Sequence, residues 1–364
     1  MRHVTLVLLS LTLGTLGLSA RAPQVVRQGG PGQGGPPLPP VPIAASMTAA
    51  DLSAALDAYI RPLAASDEFA GVVLVAKDGT TLFEKGYGLA DRERRVPITP
   101  ELRFNVASIG KAFTKVAIGQ LVGQGKLAFT DTVGKLLPDY PNAQAKVATV
   151  DQLLNHTGGI ADFFGPRFDA ADKSRFASNA DYYRFVAPEP LLVEPGSRNQ
   201  YCNGCYIVLG EIVARISGIP YEQYIADHVF KPAGMSGAGF IAYGDPTVAL
   251  GYERQEQTFT SNDPFHGRHG SAAGGAFARA ADLLAFDNAL RERKLLDGKM
   301  TGWYLGDDRT AGRASGGYAI AGGARGANAD LEAEGTWTVV VVGNLSPPNA
   351  SRMAVAISRP LRGR

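Results

Sequence analysis

Hydrophobic residues recur along this chain at helical spacing in some segments and as unbroken runs in others. Within residues 51–65 the apolar positions lie three or four residues apart, which predicts an amphipathic helix. Two apolar runs, 72–76 and 81–84, flank the dipeptide Asp78-Gly79. Because Asp-Gly favours a tight two-residue turn, these runs predict a β-hairpin near the start of the folded chain.

After this hairpin the patterns are mainly helical until a strand and a helix near the C-terminus. Residues 113–123 and 281–290 show helical patterns, and most of the stretch between 123 and 217 is helical with interruptions at prolines. Residues 336–342 predict a buried strand and residues 352–361 a closing helix. Strands at both ends and helices between them predict an α/β (α+β) domain. Its sheet is built from both chain ends, is flanked by helices, and carries a mostly helical inserted lobe.

The N-terminus has the composition of an export signal. Met1-Arg2-His3 precedes an apolar run over 4–18 and the small residues Ser19-Ala20, which predicts a signal peptide over 1–20. The run is short for a membrane span, so an uncleaved anchor is the second interpretation and stable membrane insertion is not expected. Residues 21–46 are rich in Gly and Pro and predict a linker. The domain itself is assigned to 47–364, in a periplasmic or secreted protein that we expect to be a monomer.

Composition adds mainly exclusions. The chain has 364 residues, a net charge of +2 and no long Lys/Arg run, so nothing predicts a nucleic-acid partner. A formal G-x-G-x-x-G at 30–35 lacks a preceding strand, and His266-x-x-His269 lacks a third ligand, so no cofactor and no metal are predicted. The two cysteines, Cys202 and Cys205, are interpreted either as a disulfide or as small buried side chains.

Candidate chemistry begins with Ser108 and Lys111. Residues three apart lie on one face of a helix, so the lysine amine can lie beside the serine Oγ. A serine needs a neighbouring base to become a nucleophile, and a desolvated lysine can serve as that base. The pattern predicts a small-molecule or peptide substrate attacked at a carbonyl.

A proton shuttle is also needed, and Tyr201-Cys202-Asn203 is the leading candidate. It follows the breaker Glu194-Pro195-Gly196 and precedes an apolar helical run, which predicts an exposed phenol at a loop-to-helix junction. Ser197-Arg198-Asn199 is the rival form of this element. Tyr140-Pro141-Asn142 has the same spelling but lies in a proline turn without an apolar helix directly after it.

With both elements in this order, the chain resembles the serine β-lactamase and penicillin-binding protein superfamily, and class C β-lactamase-like hydrolases in particular. Similar segments are 104–111, 153–160, 194–210 and 273–275. The resemblance implies an antiparallel sheet of the β-lactamase/transpeptidase type. It also implies that Ser108 is acylated, that Lys111 and Tyr201 move protons, and that Asn203 holds substrate.

The third element of that family departs from its usual form. The family has Lys-Thr-Gly or a histidine equivalent on a strand near the C-terminus, and the corresponding position here is Ile320. His156-Thr157-Gly158 has a similar spelling but precedes Tyr201, and Ala314-Ser315-Gly316 is a further candidate. Backbone donors at Gly322, Gly323 and Ala324 are predicted to bind the substrate and complete an oxyanion hole.

The sequence therefore predicts an exported serine hydrolase that acts through an acyl-enzyme on small esters, amides or D-amino-acid peptides. The alternative is a catalytically weakened or inactive relative that binds peptide or cell-wall fragments. Ile320 is the residue that motivates this alternative.

Overall fold

One antiparallel sheet joins the two ends of the chain in a computed structural model, which describes residues 27–28, 38–256, 258–306 and 317–362. Five long strands form the sheet: β1 (Gly71–Lys77), β2 (Thr80–Tyr87), β3 (Tyr318–Ala324), β4 (Ala327–Glu334) and β5 (Trp337–Gly343). Their order is β3-β4-β5-β1-β2, and a two-residue strand at Arg27–Gln28 pairs in parallel with β3. The predicted fold class is confirmed, because strands from both ends meet in one sheet.

The central strands are buried on both faces. In β1, Val72 and Leu74 point to one apolar cluster and Val73 and Val75 to the other. Since successive side chains of a strand point to opposite faces, a continuous apolar run is what a sheet covered on both sides requires. Val73 of β1 pairs with Val341 of β5, which joins the two ends of the chain in register.

Helices cover both faces of the sheet. Helices α1 (Ala49–Ala65) and α5 (Asn349–Leu361) pack on one face, and α4 (Ala280–Arg291) packs on the other. Helices α2 (Gly110–Gly123) and α3 (Asn203–Ser217) form the centre of the helical part. Shorter helices and turns complete it: Ala107–Ile109, Val133–Leu136, Ala143–Val147, Val150–Leu154, Pro166–Asp169, Lys173–Arg175, Asn179–Val186, Tyr221–Ile225, Ala226–Phe230, Lys231–Ala233, Asp263–Phe265 and Gly298–Leu305.

In the described part of the chain, three short strand pairs lie outside the main sheet: Leu89–Asp91 with Val96–Pro97, Phe104–Asn105 with Phe277–Ala278, and Tyr252–Gln255 with Thr258–Ser261. The pair Phe104–Asn105 with Phe277–Ala278 matters for the site, because Phe104–Asn105 leads directly into the turn that carries Ser108.

The packed part of the chain includes the end of the predicted linker. Val41 and Ile43 lie within residues 21–46, yet both are buried in the cluster that α1 and α5 form with the sheet. These two apolar side chains lie in a segment otherwise rich in Gly and Pro, and their removal from water lowers the free energy of the folded chain. Residues 1–20, the predicted signal peptide, lie outside the described part of the chain. Among the described residues, no helix combines the length and the hydropathy needed to cross a bilayer.

Candidate active site

Ser108 lies in a tight 3₁₀ turn, Ala107–Ile109, that runs directly into α2. Ala107 has φ 45°, in the left-handed region that non-glycine residues rarely adopt. The Oδ1 atom of Asn105 accepts a hydrogen bond of 2.8 Å from the Ala107 N–H and supports this conformation. Such strained residues cluster at functional sites, where the surrounding structure holds them in place.

Lys111 occupies the first turn of α2 and is almost fully buried, with 5% of its surface exposed. Its Nζ donates to Ser108 Oγ at 3.1 Å, to Asn203 Oδ1 at 2.8 Å and to the Ala273 carbonyl at 2.5 Å. The i, i+3 spacing predicted from the sequence therefore brings the amine to the serine. All three protons of an ammonium have acceptors here, which compensates its loss of water.

Tyr201 completes the contacts of the serine hydroxyl. Its phenol donates to Ser108 Oγ at 2.6 Å, and its ring lies 4.8 Å from Lys111 Nζ. The imidazole of His156 stacks on the Tyr201 ring at 4.7 Å, and its Nδ1 accepts from the Cys202 N–H at 3.1 Å. Burial and the positive charge of Lys111 lower the pKa of His156 from 6.5 to about 4, so a neutral ring supports the phenol at pH 7.

Asn203 begins α3 and connects Lys111 to a carboxylate. Its Oδ1 accepts from Lys111, while its Nδ2 donates to Asp162 Oδ2 at 2.8 Å. Because the Asp162 carboxylate accepts hydrogen bonds only, it fixes which end of the amide faces Lys111. A disulfide between Cys202 and Cys205 brackets Asn203, with both cysteines buried, so the disulfide interpretation of the C-x-x-C motif is the one realised.

Strand β3 forms the wall facing the serine. A Cβ atom added to Gly322 would lie 2.3 Å from the Val106 carbonyl oxygen and 2.7 Å from Ser108 N, so only a glycine allows this approach. Gly323 and Ala324 line the same pocket as Ser108. Ile320 lies in a small adjoining cavity with Ser108, Lys111 and Tyr201. The position where the family has a cation therefore does face the site, and it is apolar.

The pocket beside Ser108 is open to solvent and spans about 510 Å³ of empty space, the solvent at its opening included. Asn203, Gly323 and the Ala273–Gly275 turn line it near the serine. One wall is aromatic and consists of Phe163, Phe164, Phe168 and Tyr182, whose rings pack together. Gly274 has φ +147°, and an added Cβ would lie 2.5 Å from the Ala107 carbonyl oxygen, so this turn packs directly on the strained residue before the nucleophile.

The rival sequence elements lie elsewhere or have other roles. Ser197 Oγ donates to the Glu194 carbonyl within its own loop, and Asn199 Nδ2 donates to the Asn155 carbonyl in a different segment, both at 2.7 Å. Tyr140 is buried against Tyr183. Residues 314–316 lie outside the described part of the chain.

Several residues at the site escaped the sequence analysis. His156 lies in the similar segment 153–160 and in a rejected form of the third element, but no role at the site was predicted for it, and none was predicted for Asp162 or the two phenylalanines after it. The sequence Asp162-Phe163-Phe164, an acid followed by two aromatic residues, was the available signal. In the described residues no group of three or more His, Cys, Asp or Glu side chains is close enough to hold a metal ion.

The chain matches known proteins over most of its length. A model of the Beta-lactamase family matches residues 56–360. A protein of Bacillus subtilis (strain 168) whose name assigns it to the penicillin-binding proteins, PbpX, is 35% identical over 234 residues, which is 64% of this chain and 57% of that protein. The aligned part of this chain thus spans little more than half of that relative.

Solved structures share the fold. A penicillin binding protein from Bacillus halodurans has a TM-score of 0.72 at 27% identity, over 82% of this chain and 99% of that one. D-amino acid amidase from Ochrobactrum anthropi SV3 has a TM-score of 0.67 at 21% identity, over 85% and 95% of the two chains.

Proposed function

The chain belongs to the beta-lactamase family, and from that premise we propose that it is an exported serine hydrolase that forms an acyl-enzyme on Ser108. Its substrates in this proposal are small esters, amides or D-amino-acid peptides. One observation carries the proposal: the Ser108 hydroxyl lies within hydrogen-bond distance of both Lys111 Nζ, at 3.1 Å, and the Tyr201 phenol, at 2.6 Å.

The first half of the proposed reaction is acylation. Ser108 Oγ attacks the carbonyl carbon while its proton passes to the Lys111 and Tyr201 pair, which reacts with one of its two groups deprotonated, as the neutral amine or the phenolate. The developing oxyanion is stabilised by backbone N–H groups at Ser108 and on the β3 edge at Gly323. The tetrahedral intermediate then collapses, the bond to the leaving oxygen or nitrogen breaks, and that atom takes the proton from the pair.

The second half reverses these roles. A water molecule attacks the acyl-Ser108 ester and gives its proton to the same pair, which returns it to Ser108 Oγ as the acid leaves. Asp162 and His156 take no part in these bonds. They position Asn203 and Tyr201, whose contacts hold the amine and the phenol at the serine.

Covalent labelling tests this proposal. A small fluorescent fluorophosphonate is expected to label the purified chain, and Ser108→Ala is expected to abolish the label. Ser197→Ala, a serine bonded within its own loop, is the matched control and should label like the unmodified chain. A fluorescent penicillin in a parallel sample reports whether β-lactams are accepted. Absence of fluorophosphonate labelling from the intact chain would contradict the proposal.

A second candidate function is binding of peptide or cell-wall fragments by a weakened or inactive relative. Ile320 favours it, because an isoleucine at the site supplies neither a charge nor a donor. Loss of one such donor costs typically about 10²–10³-fold in turnover. For a binding protein we expect neither labelling nor ester turnover by the intact chain.

Export and the monomeric state belong to the same proposal. The signal-like composition of residues 1–20 supports export to the periplasm or medium, and N-terminal sequencing of the protein recovered outside the cytoplasm tests it. Light scattering coupled to gel filtration tests the monomer.

A further inference from the structure

The wall of the Ser108 pocket is built from packed aromatic rings. Phe163 lies at the centre of this wall, with ring centroids 4.1 Å from Phe164, 5.2 Å from Phe168 and 5.0 Å from Tyr182. Phe164 is 51% exposed, although it is a large apolar side chain at the mouth of the pocket. Apolar surface left in water at a binding site is surface that a ligand can cover with a gain in free energy.

The same pocket is uncharged. In the described part of the chain, its lining contains no Asp, Glu, Lys or Arg side chain. Its two histidines, His266 and His269, have pKa values that burial lowers further below 6.5, so both are neutral at pH 7.

Among the described residues, Lys111, Asp162 and Arg325 lie near the pocket and have partners of their own. Lys111 donates to three acceptors, and the Asp162 carboxylate accepts from Asn203 Nδ2 and from the Phe164 N–H. Arg325 follows the lining residue Ala324, but its guanidinium lies over the Phe265 ring at 4.3 Å, 3.9 Å from a carboxylate oxygen of Glu253. Arg268 is exposed and is not part of the lining.

Among the described residues, the pocket lining offers a substrate carboxylate no cation, so the carboxylate would lose its water there without gaining a charged partner. Ile320 adds to this effect, because it places an apolar side chain in the cavity next to Ser108 and Lys111. Burial of an unpaired carboxylate is strongly unfavourable, whereas an aryl group would exchange water for contact with the phenylalanine wall.

Resting on the proposed function, we propose that the Ser108 site selects uncharged esters or amides that carry an aryl group. It discriminates against substrates that carry a carboxylate near the scissile carbonyl. This narrows the proposed substrate range by disfavouring D-amino-acid peptides with a free C-terminus. This proposal rests on three features around Ser108: the aromatic wall, the uncharged lining and the apolar side chain of Ile320.

Two matched pairs of thioesters test the selectivity on either side of the scissile bond. The first pair is phenylpropanoyl against succinyl, both as S-methyl thioesters, and the second is S-benzyl against S-carboxymethyl thioacetate. Thiol release gives kcat/KM for each. We expect kcat/KM to be about tenfold or more higher for the aryl member than for the carboxylate member in at least one pair. This is the range that a difference of one apolar contact supplies. Both carboxylate compounds are expected to react slowly.

Variants then assign the preference to residues. Phe164→Ala is expected to reduce the favoured ratio several-fold, whereas Leu192→Ala, which removes an apolar side chain of similar exposure outside the pocket, should leave the ratio unchanged. Ile320→Lys is expected to raise kcat/KM for the carboxylates relative to the aryl compounds, and Ile320→Met, a neutral change, should not. Should Ile320→Lys fail to fold, the Phe164 and Leu192 pair decides.

The outcomes separate the two proposals. Failure of a small fluorophosphonate to label Ser108 would contradict the hydrolase itself. Labelling at Ser108 with equal rates in both pairs would overturn the aryl preference alone. So would labelling without release from any thioester, or a ratio that Phe164→Ala leaves unchanged.

Discussion

At the scale of single residues, the Ser108 hydroxyl is held by two donors of different kinds. Lys111 contacts it from its own helix, and Tyr201 reaches it from the start of α3. Two routes for one proton let the site take it from the nucleophile and deliver it to the leaving group without moving the backbone.

Tyr201→Phe tests the second of these routes. The variant keeps the ring that stacks on His156 but removes the phenol, so we expect acylation of Ser108 to slow by about 10²–10⁴-fold, the usual contribution of a positioned acid or base. First-turnover thiol release measures the rate. Tyr140→Phe removes a phenol outside the site, from a segment with the same Tyr-x-Asn pattern, and should leave the rate of thiol release unchanged. Equal rates in the two variants would argue against a proton-transfer role for Tyr201.

His156 should make stability depend on pH. Its pKa falls from 6.5 to about 4 on folding, so between these values the unfolded chain binds a proton that the folded chain does not. The free energy of unfolding therefore falls as pH falls through this window, by up to about 3 kcal/mol for this residue. We expect His156→Gln to lose less stability than the unmodified chain between pH 7 and pH 4.

Urea unfolding at several pH values measures this difference. His266 and His269 also have lowered pKa values, so part of the acid sensitivity should remain in the variant. The same loss of stability in both proteins would show that His156 is not the residue that resists protonation.

Sequence reasoning at this scale worked where contacts are local or where a motif was known. The spacing of Ser108 and Lys111 fixes their proximity, because both lie within one helical turn. Tyr201 was singled out by the breaker before it and the apolar helix after it, and the roles of Tyr201 and Asn203 came from a resemblance to a family to which the chain belongs. Asp162 contacts Asn203, 41 positions away along the chain, and His156 contacts Cys202, 46 positions away. No periodic pattern in the sequence indicates contacts of this kind.

At the scale of elements, the position of β3 decides the shape of the site. Its Gly322 lies so close to the backbone of the nucleophile turn that no side chain fits between them. The hairpin of β1 and β2 was readable in advance, because Asp78 and Gly79 both adopt positive φ, as the Asp-Gly signal predicts. The contact of β3 with Ser108 could not be predicted from the sequence, because a run of Gly and Ala shows no hydrophobic periodicity.

Gly322→Ala probes this close approach. The added methyl would overlap the Val106 carbonyl and Ser108 N, so we expect a loss of about 1–3 kcal/mol in the free energy of unfolding. Displacement of the Ser108 backbone should also slow labelling about tenfold or more. Urea unfolding and fluorophosphonate labelling measure the two effects.

Gly298→Ala is the control for this variant. Its Cβ would meet nothing closer than an Arg293 side-chain nitrogen at 3.7 Å, an ordinary contact. Both measurements should therefore stay close to those of the unmodified chain. A Gly322→Ala variant that behaved in the same way would mean that β3 can move away from the serine at little cost.

At the scale of the whole molecule, the sheet holds the two ends of the chain together. Strand β5 lies between β4 and β1, so the three C-terminal strands form one side of the sheet and the N-terminal hairpin forms the other. The order of strands and helices in the sequence was enough to predict a sheet of this composition. It could not give the strand order, because pairing of β1 with β5 depends on contacts across the full length of the domain.

A chain that ends at residue 306 tests this dependence. It retains Ser108, Lys111, Tyr201 and Asn203 but loses β3, β4, β5 and α5. Because β1 would lose its partner and both apolar clusters would be opened, we expect no cooperative urea transition and no labelling at Ser108. A cooperative transition in the shortened chain would show that the helical part folds by itself.

The order of the strands also determines at what stage of synthesis the reactive site can form. The ribosome makes Ser108 well before β3, which walls it, and before β4 and β5, which join β3 to the rest of the sheet. A growing polypeptide would thus carry its reactive hydroxyl in an unassembled state until these strands had been made, and the hydrolytic centre would come into being only then.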